Sequence, residues 1–454
     1  MPDLDAMVAR AASLELRGEL DAAICAYLDV LVLERHRLDA MLALGALFAA
    51  KRTPELARAV YVEAATYHAS ATAYVGLGNA LLELDDLGGA RGAFEAAVRC
   101  DPAETEAHMH LALALERGGE CDAAAASWRR AYPDGPLAPL PFRGDGDPIR
   151  LMAICSALGG NAPLDRVIDP RIFQRTTLFA EGYRAELSLP DDARLVNAVA
   201  DADLAPRALD VVERIEALTG RVALNRPARV RATARSANAA RLRTLENVVA
   251  PRVAAFPRGV LAGRNGTREL RAAGFAWPVL VRSAGFHNGK HFARVADAAG
   301  LASAAADLPG ATLLAIEFVD VRNADGMVRK YRALAIGGAL YPLHLALSHE
   351  WKVHYFSAAM EERQTFRDEE RAFLDDMKRA LGADAVATLQ RIADLLGLDY
   401  AGIDFALDAD GRIVVFEANA AMVIAWPKSD AMWDYRRAPA RRAIEAAQTL
   451  LRRG

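Results

Sequence analysis

The sequence predicts a multidomain protein in which an all-α helical-repeat solenoid is followed by a region of mixed α and β structure. Three observations predict this class: a period near 34 residues over 1–132, a segment rich in proline and glycine at 133–148, and apolar strand-like runs that alternate with helical patterns from 149 onward. Periodic small residues mark stacked helix pairs. Pro/Gly-rich segments mark linkers, and strands that alternate with helices favour a layered α/β arrangement.

The repeat is carried by an alanine, by an aromatic residue four positions later, and by a small residue in the preceding helix. The alanines are spaced 34, 33 and 34 apart, and the three series are Ala23, Ala57, Ala90 and Ala124, then Tyr27, Tyr61, Phe94 and Trp128, then Gly45, Gly78 and Ala112. This pattern identifies about four tetratricopeptide repeats. Such a stack either offers a concave face to a peptide or protein partner, or serves as a structural extension or homodimer contact.

The composition excludes several classes of protein. The chain has 454 residues and a net charge of only −4, so nothing indicates a nucleic-acid surface. Its four cysteines are scattered and have no metal-binding spacing, which suits a reducing compartment. The first residues do not resemble a signal peptide, and no apolar run reaches the roughly 18 residues of a membrane span. A soluble, cytoplasmic protein without membrane or nucleic-acid partners is therefore expected.

Beyond the predicted linker, the pattern favours a small parallel α/β layer. Strands are expected at 149–155, near 172–179 and at 195–199, and a helix is expected at 206–218. A further helix is expected to contain 239–248 and to end before Pro251.

A hairpin near the C-terminus gathers oxygen ligands. Two apolar runs flank Asp408-Ala409-Asp410-Gly411, and Asp-Gly between such runs is a strong hairpin signal. An even turn would pair 408 with 411 and 404 with 415. Alternate residues of a strand share a face, so Asp404, Glu417 and Asn419 would then lie together. Two carboxylates and an amide oxygen suit magnesium, whereas an ordinary hairpin would turn these polar residues to water.

The Gly402-x-Asp404-Phe405 and Glu417-x-Asn419 elements resemble the last nucleotide- and metal-binding element of ATP-grasp enzymes, most closely the RimK-type branch. This region also resembles the C-terminal half of a family of bacterial tetratricopeptide–ATP-grasp proteins. This resemblance implies a pre-ATP-grasp α/β domain over 149–230 and an α+β ATP-grasp domain over 231–454. It also implies that Asp404, Glu417 and Asn419 hold Mg²⁺ on the phosphates of ATP, although the usual NxxP ending is replaced by Asn419-Ala420-Ala421-Met422.

The same resemblance assigns further nucleotide contacts. Two positions that are usually lysine hold arginine, which keeps the positive charge, and the remaining contacts come from a glycine-containing loop and from a hinge strand whose backbone reads adenine. The cofactor-binding set is Arg235, Arg282, Gly285, Gly289, Lys290, Glu317, Phe318 and Val319. At Arg282, an arginine solvated at a strand end is the alternative interpretation.

Two basic residues are expected to neutralise charge on the transferring phosphoryl group. Arg332 keeps its place in a segment that resembles the family's "DxR" pattern, whereas Lys330 replaces the aspartate, and Lys352 lies where the branch has a basic residue. Three histidines, His344, His349 and His354, recur every five residues, a spacing that does not favour a metal triad. Local packing is the simpler interpretation of each, with a role as base toward the nucleophile as the alternative.

The resemblance implies an ADP-forming ligase that uses ATP and Mg²⁺ to convert a carboxylate into an acyl phosphate, which an amine or similar nucleophile then captures. The repeats would deliver a peptide or protein substrate. Two alternatives stay open: a small-molecule kinase, and a tetratricopeptide scaffold whose second region binds nucleotide without turnover.

Overall fold

A computed structural model describes residues 2–283, 291–353 and 360–453 of the chain. The chain divides into two compact units, Met1–Gly135 and Pro136–Gly454. The first is entirely helical and the second is mixed α/β.

The first unit is a run of helices in which each helix packs on the next. Its eight described helices are α1 Leu4–Leu16, α2 Leu20–Leu33, α3 Leu38–Ala50, α4 Pro54–His68, α5 Ala71–Glu83, α6 Leu87–Cys100, α7 Thr105–Arg117 and α8 Cys121–Ala131. Contacts between α3 and α5, and between α5 and α7, join the first helices of successive pairs. This is the stacking that the period near 34 residues predicts.

Small residues and aromatics meet between the helices as the repeat pattern predicts. A Cβ atom built on Gly78 would lie 2.3 Å from Cε1 of Phe94, and one built on Gly45 would lie 2.6 Å from Cζ of Tyr61. Phe94 is fully buried. Glycine at these positions therefore lets the second helix of the same pair approach closely enough for its aromatic ring to fill the space.

The predicted linker lies at the boundary between the units, but part of it belongs to the second unit. The boundary falls between Gly135 and Pro136. Strand β1, Leu137–Pro139, pairs in antiparallel fashion with residues 176–178. The proline and glycine content marked the boundary correctly, whereas the pairing of 137–139 depends on a strand more than thirty residues away, which local composition does not reveal.

The second unit begins with a four-stranded sheet of order β1-β3-β2-β4. Its other strands are β2 Ile149–Cys155, β3 Phe173–Phe179 and β4 Arg194–Asn197, followed by helix α9 Pro206–Thr219. Strand β2 lies parallel to both β3 and β4. The predicted parallel layer and its helix are confirmed.

Two short helices then lead to a second sheet. These are α10 Pro227–Arg231 and α11 Arg235–Leu242. The helix expected to contain 239–248 therefore ends earlier than predicted, and β5, Val248–Val249, is instead a strand. The second sheet has the order β6-β9-β7-β8. Its strands and adjoining helices are β6 Val253–Pro257, α12 Arg258–Leu261, α13 Gly266–Ala272, β7 Val279–Ser283, β8 Phe292–Val295, α14 Leu301–Asp307 and β9 Thr312–Glu317.

The third sheet has the order β11-β10-β12-β13-β5. Its remaining strands are β10 Val328–Ile336, β11 Ala339–Ser348, β12 Tyr400–Leu407 and β13 Ile413–Asn419, and its helices are α15 Gln364–Asp375, α16 Met377–Leu381, α17 Ala383–Leu396 and α18 Arg437–Arg453. Strand β12 lies centrally, antiparallel to both β10 and β13, and is almost entirely buried. Acidic side chains on this strand therefore lie in an apolar setting, where an unpaired charge would be costly.

The hairpin of β12 and β13 differs from the predicted register. Leu407 lies opposite Ile413, so the turn contains the five residues 408–412. The ladder then shifts by one residue, because Phe405 faces Val415 while Asp404 faces Glu417, which leaves Phe416 as the extra residue of a β-bulge. The pairing of 404 with 415 was wrong. The predicted shared face is nevertheless present, because the bulge returns Glu417 to the face of Asp404.

Candidate functional site

A cavity of about 540 Å³ opens within the second unit, lined by strands of its second and third sheets, by helix α11 and by the segments that follow β2 and β4. The carboxyl ends of β9 and β13, the middle of β10 and β12, and strand β7 contribute its polar side chains. Every described residue that the sequence assigned to a nucleotide, metal or catalytic role lines this cavity: Arg235, Arg282, Glu317, Phe318, Val319, Arg332, Lys352, Asp404, Glu417 and Asn419. Gly285, Gly289 and Lys290 lie outside the described residues, as does His354.

Asp404 lies at the floor of the cavity between two cationic side chains. Arg332 donates from Nε to Oδ1 at 2.6 Å and from a terminal nitrogen to Oδ2 at 2.9 Å. Lys330 Nζ lies 2.8 Å from the same Oδ2. Burial alone would raise the pKa of Asp404, but Lys330 and Arg332 outweigh it and hold the pKa well below its usual range. Asp404 is thus an ionised, buried carboxylate, only 1% exposed.

Glu417 and Asn419 lie beside this floor on the neighbouring strand. Asn419 Nδ2 donates to Glu417 Oε1 at 3.0 Å, and the amide oxygen of Asn419 accepts from the Ala421 amide at 2.9 Å. Arg235 lies 3.5 Å from Glu417 Oε1. Asn238, one turn along α11, donates to the Ala418 carbonyl at 2.7 Å and so fixes this helix against β13.

A second pair of cationic side chains lines the cavity beside Phe292. The guanidinium carbon of Arg282 lies 5.7 Å from the Phe292 ring centre, and Lys352 Nζ lies 5.8 Å from it. Burial, with the nearby charge of Arg235, lowers the pKa of Arg282 to about 10. A partly buried arginine with a second cation close to the same ring favours an anionic ligand.

Aromatic and aliphatic side chains also line the cavity. The aromatic rings of Phe292 and Phe318 each contact that of Trp351 edge to face, with centroid distances of 5.5 and 6.2 Å. Leu280 and Ile316 also line the cavity. Glu317 is the last residue of strand β9, and its carboxylate accepts a hydrogen bond from the Arg252 amide at 2.9 Å. This bond fixes the backbone just before Phe318 and Val319, which line the cavity. A flat apolar ligand group would fit here beside the polar floor.

The oxygen ligands predicted for magnesium share one face but do not fit the predicted metal set. Both oxygens of Asp404 are already bound by Arg332 and Lys330, and the Asn419 oxygen accepts a backbone hydrogen bond. Glu417 contributes the other carboxylate, and it has Arg235 nearby. Over residues 2–283, 291–353 and 360–453, no group of three His, Cys, Asp or Glu side chains could hold a metal ion.

Sequence reasoning assigned no site role to Lys330, Phe292 and Trp351. Lys330 lies two residues before Arg332 on strand β10, so strand periodicity alone places the two side chains on one face. That signal could have identified Lys330. The aromatic pair carried no such signal, since the two residues lie on different segments and meet only in the folded chain.

A known family of repeats matches part of the helical unit. The sequence model of the tetratricopeptide repeat family matches residues 42–105 and 75–139. The structures of the MamA protein (24% identity, TM-score 0.27) and of YrrB, a TPR protein with an unusual peptide-binding site (21%, TM-score 0.27), each align with 29% of this chain and with 72% and 68% of their own. TTC0263, a thermophilic TPR protein of Thermus thermophilus, aligns over 30% of this chain and 76% of its own, with 20% identity and a TM-score of 0.27.

The N-terminal region therefore carries tetratricopeptide repeats, followed by a mixed α/β region. No curated protein matches the chain. Among the described residues, no helix is long and apolar enough to cross a bilayer.

Proposed function

We propose that the second unit binds ATP and uses it to activate a carboxylate for capture by an amine or a similar nucleophile, as an ADP-forming ligase of the ATP-grasp type. One observation carries the proposal: a group of four cationic side chains and two carboxylates lines the same cavity as a cluster of aromatic rings. The cations are Arg235, Arg282, Lys330 and Arg332, and the carboxylates are Asp404 and Glu417. A triphosphate requires an excess of positive charge, and a purine requires a flat apolar contact.

In this proposal the adenine lies against Phe318 and Val319, and the phosphates lie toward Arg282, Arg332 and Lys352. A carboxylate oxygen of the substrate attacks the γ-phosphorus while the bond to the β-γ bridging oxygen breaks, and ADP leaves. The amine then attacks the acyl carbon, inorganic phosphate leaves, and the amine loses a proton. The cationic side chains stabilise the charge that develops on the transferring phosphoryl group.

Magnesium was expected with ATP, and Glu417 is the residue that would hold it on the phosphates. The ion would shield phosphate charge. The repeats in this proposal present a peptide or protein that carries one of the two reacting groups, and the protein works in the cytoplasm, where ATP is abundant.

The test uses the full chain, ATP and a panel of carboxylic acids, with hydroxylamine as the capturing nucleophile. We expect ADP and a hydroxamate in equal amounts, and only when both ATP and the correct acid are present. A stable phosphorylated product without hydroxamate would replace the ligase with a kinase. Failure to bind ATP in calorimetry would overturn the proposal as a whole.

A second candidate, nucleotide binding without turnover, is favoured by the ion pair between Lys330 and Asp404. A buried carboxylate that is already neutralised by two cations is a poor ligand for a metal ion that promotes phosphoryl transfer. Under this candidate ATP would bind, yet no acid or nucleophile would lead to ADP. The chain would then act as a tetratricopeptide scaffold that binds nucleotide without turnover, and the hydroxylamine assay separates the two candidates.

A further inference from the structure

The disagreement between the predicted metal site and the observed contacts centres on Lys330. Its ammonium lies 2.8 Å from Oδ2 of Asp404, the carboxylate expected to bind magnesium. A magnesium ion would lie about 2.0–2.1 Å from such an oxygen. The lysine and the metal ion would thus place positive charge on the same oxygen. A magnesium ion on Asp404 would first have to displace the Lys330 ammonium, which is part of the chain, from a nearly fully buried carboxylate.

Lys330 is also positioned to reach a ligand. Strand β10 places it on the same face as Arg332, and both side chains line the cavity with 20% of their surface exposed. An ammonium group has three N–H donors. The ammonium forms an ion pair with Asp404 and lines the cavity where the proposed phosphates lie.

The surrounding charges keep this ammonium in place. Asp404 has Arg332 as a bidentate partner on its other side, which fixes the orientation of the carboxylate plane. His344 lies opposite Arg332 on strand β11 and is buried. The floor therefore holds Lys330 and Arg332 against the single carboxylate of Asp404, a local excess of one positive charge that needs no metal ion.

We propose that Lys330 is a built-in substitute for a divalent cation, so that this site binds the triphosphate of ATP without requiring a metal ion. The inference rests on the proposed function, because it concerns the same cavity and the same ligand. In this arrangement Lys330 contacts the phosphates directly, in place of a metal ion held by carboxylate and amide oxygens.

The test measures ATP affinity by calorimetry for the full chain, once with excess EDTA and once with magnesium. We expect dissociation constants within about threefold of each other. Lys330→Met should weaken binding in EDTA by about tenfold or more, since a charge-assisted hydrogen bond is lost. Magnesium should restore part of that loss, because Asp404 is then available to the ion. Lys330→Arg should retain metal-free binding, and Lys378→Met, at an exposed position outside the cavity, should behave as the unmodified chain.

Binding by the unmodified chain only when magnesium is present would overturn the inference and leave the proposed function standing. The same conclusion follows if folded Lys330→Met binds ATP in EDTA as tightly as the unmodified chain. Absence of ATP binding under both conditions would instead overturn the proposed function. A melting curve for each variant shows whether it folds, and should Lys330→Met fail to fold, the comparison of EDTA with magnesium on the unmodified chain still decides.

Discussion

Glu370 and Arg436 form a buried ion pair in the second unit, with Arg436 Nε donating to Glu370 Oε2 at 3.0 Å. Glu370 is fully buried, and its other oxygen accepts from the Leu345 amide at 3.2 Å. The pair therefore joins helix α15, strand β11 and the turn before α18. Burial raises the pKa of Glu370 despite the arginine beside it, so this carboxylate depends on its partner to stay charged.

We expect Arg436→Met to destabilise the second unit by about 3–5 kcal/mol, because it leaves Glu370 buried without its counter-charge. Denaturant unfolding followed by fluorescence would measure the change. The matched control is Arg171→Met, which removes an exposed arginine paired with Asp169 and should cost no more than about 1 kcal/mol. Equal effects of the two variants would mean that the buried pair contributes nothing particular to stability.

Two glycine-to-alanine changes in the first unit separate packing from helix propensity. Gly78 lies against the Phe94 ring, whereas a Cβ on Gly92 of α6 would have nothing within 4 Å. Both changes gain the same helix propensity, up to about 1 kcal/mol. Only Gly78→Ala forces the ring to move, which typically costs about 1–3 kcal/mol.

Thermal and urea unfolding should therefore show Gly92→Ala at or above the stability of the unmodified chain, and Gly78→Ala below Gly92→Ala by about 1–3 kcal/mol. If the two variants were equally stable, the aromatic ring would not be held by the close approach of these helices.

His344 predicts a pH dependence of stability in the second unit. Burial, with Arg332 next in importance, lowers the pKa of His344 well below its usual range. Lys330 and Arg436 also lower this pKa, whereas Asp404 raises it. The pKa of a histidine in an unfolded chain is about 6.5. Below that pH the unfolded chain binds a proton that the folded chain does not, so the free energy of unfolding falls as the pH falls.

His344 should contribute a slope of at most about 1.4 kcal/mol per pH unit in this range. Unfolding curves between about pH 7 and pH 5 would measure it, since this range brackets the titration of an unfolded histidine. His344→Gln should flatten the profile, whereas His349→Gln, at an exposed position, should leave it unchanged. A profile that stays equally steep in His344→Gln would show that other groups cause it.

We expect Arg282 to lower the stability of the ligand-free second unit and to contribute to ATP binding. Its charge is disfavoured by burial and by Arg235, which lowers its pKa to about 10. Arg282→Met should therefore melt at the same temperature as the unmodified chain or higher when no ligand is present. Added ATP should raise the melting temperature of the unmodified chain and fail to do so in this variant.

Arg412→Ala in the exposed turn is the control and should keep the full ATP-dependent shift. A lower melting temperature for Arg282→Met without ligand, together with an intact ATP shift, would assign Arg282 a structural role.

The sequence predicted the features that depend on local spacing. The repeat of small and aromatic residues placed Gly78 against Phe94, and strand periodicity placed Glu417 and Asn419 on one face of β13, whereas Asp404 shares that face only because of the bulge at Phe416. Features set by distant partners were not predictable. The segment at 248–249 was assigned to a helix because its local pattern is helical, but parallel pairing with β13 decides its structure. Likewise, no local signal showed that the ammonium of Lys330 would meet the carboxylate of Asp404, residues 74 positions apart in the chain.

The bulge at Phe416 has a consequence for recognising related proteins. Asp404 lies three residues before Leu407, but Glu417 lies four residues after Ile413, and the bulge absorbs the difference. A hairpin with a regular ladder would bring the same two carboxylates together with one residue fewer between them. A search pattern that fixes the number of residues between the two acids will therefore miss chains that build this arrangement on a regular ladder. A one-residue alignment gap at Phe416 marks a change in the shape of the strand and not a loss of the site.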